Sequence, residues 1–337
     1  MSHLPSPLIR LTGAIGAAFG AKVSRSARYA FDYENVLGTS LELQLVATDR
    51  ETARHAESAV LAEIDRLALI LSGYSETSEL SRWLTTHDAD VAVSGELADV
   101  LEMAERWRVR TAGAFDPAAV SLVELLQSPS TADSIRERLT QLNRPLWNVD
   151  RERGTARRLT RLGVSLDALA KGYVVERAAA ALRDTHGVSQ LLLNVGGDLR
   201  HHGSRAVAVG IANPHAPADN APPLAVVHLR DAAIATSGGY RRGFEVNGQR
   251  VSHILDPRTG HAAERIASAS VLAPDCATAD ALSTAFSVLP PRESVEIADS
   301  LPGVGCLIVE RDGIVTTNAL WNGHAAVPPH DISPTRH

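Results

Sequence analysis

Asp280 and Thr284 stand four residues apart in "APDCATADALSTAF", a stretch otherwise made of small and apolar residues. On a helix, positions i and i+4 share a face, so this spacing aims a carboxylate and a hydroxyl oxygen at one place. Mg²⁺ takes a partial oxygen shell of this kind, with water and phosphate oxygens completing it. The plainer account is a Thr bonded back to a helix carbonyl and an Asp satisfying the amides of a helix start. Asp275 or Thr278 is better placed to cap, which leaves Asp280 inside the helix with no capping work and favours the ligand reading.

Three further segments combine glycines with ionisable groups. In "SLDALAKGYVVERA", Lys171 falls near a helix start, where unpaired N–H groups and the helix dipole favour an anion; an ammonium there improves a phosphate site, although most Lys are simply solvated. In "NVGGDLR", paired glycines between a strand and Asp198 allow close approach of a ligand or form an ordinary turn. The dinucleotide fingerprint is excluded, because no third glycine opens a helix at the required offset. In "ATSGGYRRGFEVNGQRVSHILDPRTG", Ser237, Tyr240, Arg241, His253, Asp256 and Arg258 lie between two glycine-rich turns. A strand His is more often packed than catalytic, and "DPRTG" alone is a good type I turn.

The elements that must hold these residues follow from periodicity. "TSLELQLVAT" alternates as a half-buried strand, and "RETARHAESAVLAEIDRLALILSGY" repeats as a long amphipathic helix. "SGELADVLEMAERWRVRTAG", ending at Gly113, and "TADSIRERLTQLN" read as further helices; between them Asp116-Pro117 stops one element and starts another. From Thr155 the spacing predicts a strand pair and then a helix closed by Gly187 as its C′ residue. Short strands follow at "QLLLNV", "AVAVGI", "LAVVHL", "AAIATS", "GFEVNG" and "QRVSHIL", separated by turn signals that suit antiparallel pairing. Two more helices, "CATADALSTAFSVL" and "PRESVEIADSL", precede a hairpin turning at Asp312-Gly313. The sum is an α+β body without a fixed repeat or a Pro/Ser-rich linker.

Composition narrows the function class. The chain of 337 residues is 45% hydrophobic, enough for a substantial core. Its net charge of −6 and scattered His offer no basic stripe for a nucleic-acid backbone. No apolar run approaches the roughly 20 residues of a transmembrane helix. Residues 1–30 read as a leader with a weak signal-like character, leaving the compartment open between cytoplasm and periplasm; the absence of a nearby Cys argues against a lipid-anchored form. Cys276 and Cys306 sit in apolar surroundings and read as small hydrophobes.

Taken together, "SGYSETSELSRW", "GAFDPAAVSLV", "SLDALAKGYVVERA", "LLLNVGGDLR", "ATSGGYRRGFEVNGQRVSHILDPRTG" and "SVLAPDCATADALSTAFSVL", in this order, resemble the ApbE-like family of flavin transferases. The resemblance implies an α+β, T-fold-like architecture of largely antiparallel sheets flanked by helices, with two intertwined lobes and a cofactor cleft between them. It implies one such domain over 31–327 and a flexible tail at 328–337. It further implies Mg²⁺, FAD as substrate, and transfer of the FMN half to a Thr or Ser hydroxyl of an acceptor flavoprotein, with AMP released. Carried over by matching positions, Asp280, Thr284 and the backbone carbonyl of Ala168 hold the metal, Lys171 contacts the pyrophosphate, and His253 serves as base. Gly197, Asp198, Ser237, Gly238 and Tyr240 line the cofactor cleft, Tyr74 and Ser78 reach it from the helical half, and Asp116 and Arg258 complete the set. The chain departs from the family pattern at "SLDALAKG", where two glycines are replaced, and at Leu37 in "VLGTS". FAD pyrophosphatase activity and a non-catalytic flavin carrier are the competing functions, and a homodimer is compatible with the pattern.

Overall fold

Alternation of apolar residues on consecutive strands sets the frame. The structure is a computed structural model, and it describes residues 26–127, 131–183, 185–216, 221–238, 243–246, 249–252 and 255–327. The chain opens with the antiparallel strands β1 (Ala27–Val36) and β2 (Thr39–Ala47), so the first strand begins inside the segment read as a leader. A helical stretch follows: α1 (Arg50–Leu71), α2 (Glu79–Leu84), the short β3 (Asp90–Ala92), α3 (Gly95–Arg110), α4 (Val120–Leu126) and α5 (Ala132–Leu142). Asp116 caps a 3-10 turn at Pro117–Ala119 that leads into α4, as the Asp-Pro step predicts. Strands β4 (Trp147–Asp150) and β5 (Thr155–Arg158) join β3 in a small antiparallel sheet, ordered β3-β5-β4.

Helix α6 (Asp167–Ala180) precedes β6 (Val188–Val195), β7 (Asp198–Gly203), β8 (Val207–Ile211), β9 (Ala225–Leu229) and β10 (Ala233–Ser237). Two expectations fail here. A single strand, β5, precedes α6, its partner β4 lying upstream of Thr155. Helix α6 stops at Ala180, and Gly187 instead takes its positive φ of 89° at the entry to β6, where its carbonyl accepts the N–H of Thr48. The hairpin β11 (Gly243–Val246) and β12 (Gln249–Ser252) comes next, then β13 (Ile266–Ala273), α7 (Cys276–Phe286), α8 (Pro291–Asp299), β14 (Gly305–Glu310), β15 (Val315–Thr317), α9 (Ala319–His324) and β16 (Ala325–Val327).

The main sheet has eight strands in the order β1-β2-β6-β7-β10-β13-β14-β15, each pair antiparallel. Its two faces are both covered. On one, Leu41, Leu43, Leu191, Leu193, Ala235 and Val271 pack against α1, α6 and α7. On the other, Leu192, Leu199, Ile234, Leu272 and Leu307 form a second core with the three-stranded sheet β16-β9-β8 and Trp321. This double covering explains why β13 and β14 are buried at every position, Ser268, Ser270 and Glu310 included. Trp83 and Trp147 meet edge to face in the helical half, 6.0 Å apart at 72°, and tie α2 to the small sheet. Cys276 and Cys306 are buried and free, as expected of small hydrophobes. Among the described residues, no helix is long and apolar enough to cross a membrane.

Candidate active site

The site grows from the crossing of α6 and α7. Asp275 caps α7, its carboxylate accepting the Thr278 N–H at 2.8 Å and the Thr278 hydroxyl at 2.8 Å. Asp280 is therefore inside the helix and free of capping work, yet its residue surface is only 4% exposed. What it meets is α6. A Cβ at Gly172 would lie 2.5 Å from the Cys276 carbonyl oxygen and 2.8 Å from Asp280 Cβ, so only glycine permits this approach. Across the gap the Gly172 N–H donates to Asp280 Oδ2 at 3.0 Å. In a regular helix that N–H belongs to the carbonyl of Ala168, so the carboxylate competes for the proton and leaves lone-pair capacity on that carbonyl.

Lys171 precedes Gly172 and reaches across the same crossing. Its ammonium is ion-paired to Asp198 and stands 3.8 Å from Asp280 Oδ1. Burial acts to lower the Lys171 pKa, but the two carboxylates outweigh it and hold the ammonium charged above its ordinary range. Burial, reinforced by the neighbouring Asp280, pushes the Asp198 carboxyl up. With both carboxylates ionised the cluster carries a formal charge of −1, and the upward push on Asp198 is the cost of that state, which a further cation would offset.

The strands bring the remaining groups. Asp198 starts β7 after a turn in which Gly196 and Gly197 take φ values of 59° and 99°, and the Gly197 N–H is held by Asn194 Oδ1 at 3.1 Å. The space where a Gly197 Cβ would point is open. The β7–β10 register pairs Asp198 with Ala235, so Ser237, one two-residue repeat further, lies on the same face. Ser237 Oγ is 2.8 Å from Ser283 Oγ and 3.4 Å from Thr284 Oγ1, which places the Thr284 hydroxyl on the sheet-facing side of α7. Gly238 directly follows β10.

The helical half contributes unevenly. Tyr74, 86% exposed, donates its phenol to Asp167 Oδ2 at 2.7 Å, which brings its ring to the first turn of the helix that carries Lys171. Ser78 is fully buried: it caps α2, accepting the Ser81 N–H at 3.0 Å and donating to the Ser72 carbonyl at 2.6 Å. Its hydroxyl thus shapes the turn that presents Tyr74. Asp116 accepts the Ala118 N–H at 2.7 Å and Arg108 Nε at 2.9 Å, while burial pushes its carboxyl up. Arg258 is forked onto Asp256 at 2.9 Å on both contacts, with Glu293 at 3.8 Å. Asp116 and Arg258 are thus engaged by their own neighbours. His253 and Tyr240 lie outside the described residues.

The structure thus brings together Lys171, Asp198, Asp280, Thr284 and Ser237, with Gly197 heading the same strand. It adds three residues that the sequence reading did not single out. Ser283 joins Ser237 to α7, Gly172 makes the helix crossing possible, and Glu176 accepts the Cys276 N–H at 3.0 Å. For Gly172 a signal was present, because a mid-helix glycine is about 1 kcal/mol worse than Ala and implies a packing reason.

Known proteins share this arrangement of elements. The model of the ApbE family matches residues 37–308. The FAD:protein FMN transferase of Haemophilus influenzae is 30% identical over 294 residues, covering 82% of this chain and 83% of that protein. The FAD:protein FMN transferase of Treponema pallidum is 30% identical over 315 residues, covering 85% and 86%. Among solved structures, the ApbE protein of Thermotoga maritima superposes with a TM-score of 0.76 at 27% identity, over 88% of this chain and 99% of that one. The mixed, largely antiparallel fold, the buried Lys-carboxylate cluster and these matches lead to one conclusion: the chain belongs to the ApbE family.

Proposed function

We propose that this protein is an Mg²⁺-dependent FAD:protein FMN transferase. The observation that carries the metal part of the reading is the pairing of Asp280 with Gly172 across the helix crossing. It fixes a carboxylate oxygen beside Lys171, in a cluster where two carboxylates share one ammonium. The donor set suits Mg²⁺: carboxylate and hydroxyl oxygens, no thiolate or imidazole, and no group of three or more His, Cys, Asp or Glu among the described residues that would build an all-protein cage. Asp280, Thr284 and the Ala168 carbonyl would hold the ion, which supplies charge neutralisation to the phosphate oxygens and a template for in-line displacement.

The chain's own residues do the rest. Lys171 places a permanent positive charge at the pyrophosphate, stabilising the charge that gathers on the departing AMP phosphate. Asp198 holds that ammonium in place, and the open face of Gly197 admits the cofactor close to the backbone. Tyr74 presents an aromatic ring anchored by Asp167 at the helix end, where a ring system of the cofactor can lie against it. The acceptor hydroxyl oxygen attacks the phosphorus of the FMN half, the bond from that phosphorus to the bridging oxygen breaks, and AMP leaves. His253, matched by position to the family's base, takes the hydroxyl proton, an assistance typically worth about 10²–10⁴ in rate.

Incubation with FAD, Mg²⁺ and an acceptor protein bearing the target Thr or Ser tests the reading. The expected result is an acceptor heavier by FMN less one water, together with one equivalent of AMP. AMP and free FMN with an unmodified acceptor would make the protein a pyrophosphatase instead. Bound flavin with no AMP would make it a carrier.

A further inference from the structure

Helices α6 and α7 are tied by two reciprocal rungs one turn apart. At the first, a carboxylate of α7 accepts an α6 amide: Gly172 N–H to Asp280 Oδ2, 3.0 Å. At the second the roles exchange: the Cys276 N–H of α7 donates to Glu176 Oε2 of α6, also at 3.0 Å. Glu176 lies four residues beyond Gly172, and Cys276 four residues before Asp280, so the rungs fix the two helices in antiparallel register. Cys276 is fully buried, and its N–H is one of the first-turn amides that α7 cannot satisfy itself. Asp275 serves the Thr278 amide, which leaves Glu176 as the partner that prevents an orphaned donor at Cys276.

Glu176 is itself held from the sheet. Arg200 Nε lies 3.0 Å from Glu176 Oε2, with the Arg200 side chain 5% exposed. Arg200 stands two residues after Asp198 on β7 and so shares its face. Its other donors are fixed by the His201 carbonyl at 2.6 Å and by Asp231 at 3.2 Å. One carboxylate therefore joins the three elements that supply the site: α6 with Lys171, α7 with Asp280 and Thr284, and β7 with Asp198.

We infer that Glu176 is a positioning residue for the cation and phosphate site, acting by locking the register of α7 on α6 so that Asp280 stays on the Gly172 amide beside Lys171. This inference rests on the function proposed above for its metal readout, but its geometric core does not. The helices stay packed without the second rung, because the Gly172 approach and the apolar faces remain. What is lost is the fixed height of Asp280 relative to Lys171.

The test uses Glu176→Ala and Glu176→Gln in the full chain, with two readouts. Hydrogen exchange of the Gly172 amide, measured without metal or FAD, is expected to accelerate about tenfold in Glu176→Ala. Mn²⁺ affinity in the presence of FAD, measured by electron paramagnetic resonance, is expected to weaken about tenfold, as for other residues that orient metal ligands. Glu176→Gln keeps an oxygen for the Cys276 amide and is expected to stay within about threefold of wild type in both. A Glu176→Ala protein that loses thermal stability but keeps wild-type exchange at Gly172 and wild-type Mn²⁺ affinity overturns the inference. So does a Glu176→Gln protein as impaired as Glu176→Ala. Should Glu176→Ala not fold, Glu176→Asp, which keeps the charge for Arg200 but withdraws the oxygen from Cys276, is read by the same two measurements with the same criteria. If wild type binds no Mn²⁺, the proposed function fails, while exchange at Gly172 still decides the positioning role.

Discussion

The backbone amide of Gly172 and the carboxylate of Asp280 are joined across the α6–α7 crossing at 3.0 Å, and no side chain larger than hydrogen fits at residue 172. This contact sets where the carboxylate meets Lys171, and the first prediction follows from it. Gly172→Ala places a methyl 2.5 Å from the Cys276 carbonyl oxygen, so the helices must separate. Overpacking of this kind destabilises by roughly 1–3 kcal/mol, more than the gain in helix propensity of about 1 kcal/mol returns. Chemical denaturation measures the loss. Mg²⁺-dependent AMP release should fall further than the folded fraction does.

Asp280→Asn keeps the size of the side chain and an oxygen for the Gly172 amide but removes the charge. The fold should survive with a melting temperature near wild type. If metal stabilisation of the phosphates is worth several kcal/mol, turnover should drop by at least about a hundredfold. Steady-state AMP release at saturating Mg²⁺ reads the effect, and unchanged turnover would remove Asp280 from the metal site.

Thr284→Val preserves shape and removes only the hydroxyl that faces Ser237. The expected change is a rise of about tenfold in the Mg²⁺ concentration giving half-maximal rate, with FAD binding unchanged. A titration of rate against Mg²⁺ at fixed FAD distinguishes this from a general loss of activity.

Stability should depend on pH through His201. The residue is fully buried, its Nδ1 accepts the Asp231 N–H at 3.1 Å, and its Nε2 has no partner among the described residues. Burial, with the Arg200 charge beside it, pushes its pKa down from 6.5 to about 4. The folded state therefore resists a proton that the unfolded chain accepts. Its contribution is complete above about pH 6.5 and is lost as pH falls toward about 4, to a total of roughly 3 kcal/mol. Urea denaturation between pH 7 and pH 4 should show the decline, and His201→Asn, which keeps an acceptor for Asp231, should flatten it. Equal slopes for the two proteins would contradict this account.

The legible parts of the sequence were those with strong local signals. Strand alternation, the amphipathic periods of α1 and α3, and the Asp116-Pro117 start announced their elements, and Asp275 took the capping role that freed Asp280 for another. The i, i+4 spacing of Asp280 and Thr284 pointed to α7, the helix that packs against α6 and brings Asp280 beside Lys171. Long-range relations left weaker traces. The Lys171–Asp198 ion pair depends on the packing of α6 against β7, which is not written in local spacing. Gly187 looked like a helix stop because its positive φ serves any tight turn, and here it serves the entry to β6. Glu176 carries no local signal, because its partner is a backbone amide of another helix.

The central claim is that Asp280 and its neighbours gather a divalent cation against the phosphates of FAD so that FMN can move to an acceptor hydroxyl. The most direct measurement is the intact mass of an acceptor protein after incubation with FAD and either wild type or Asp280→Asn, each with Mg²⁺ and with excess chelator. The account predicts the added mass of FMN less water for wild type with Mg²⁺ and for no other combination. Full modification with chelator present, or by Asp280→Asn at the wild-type rate, would contradict it.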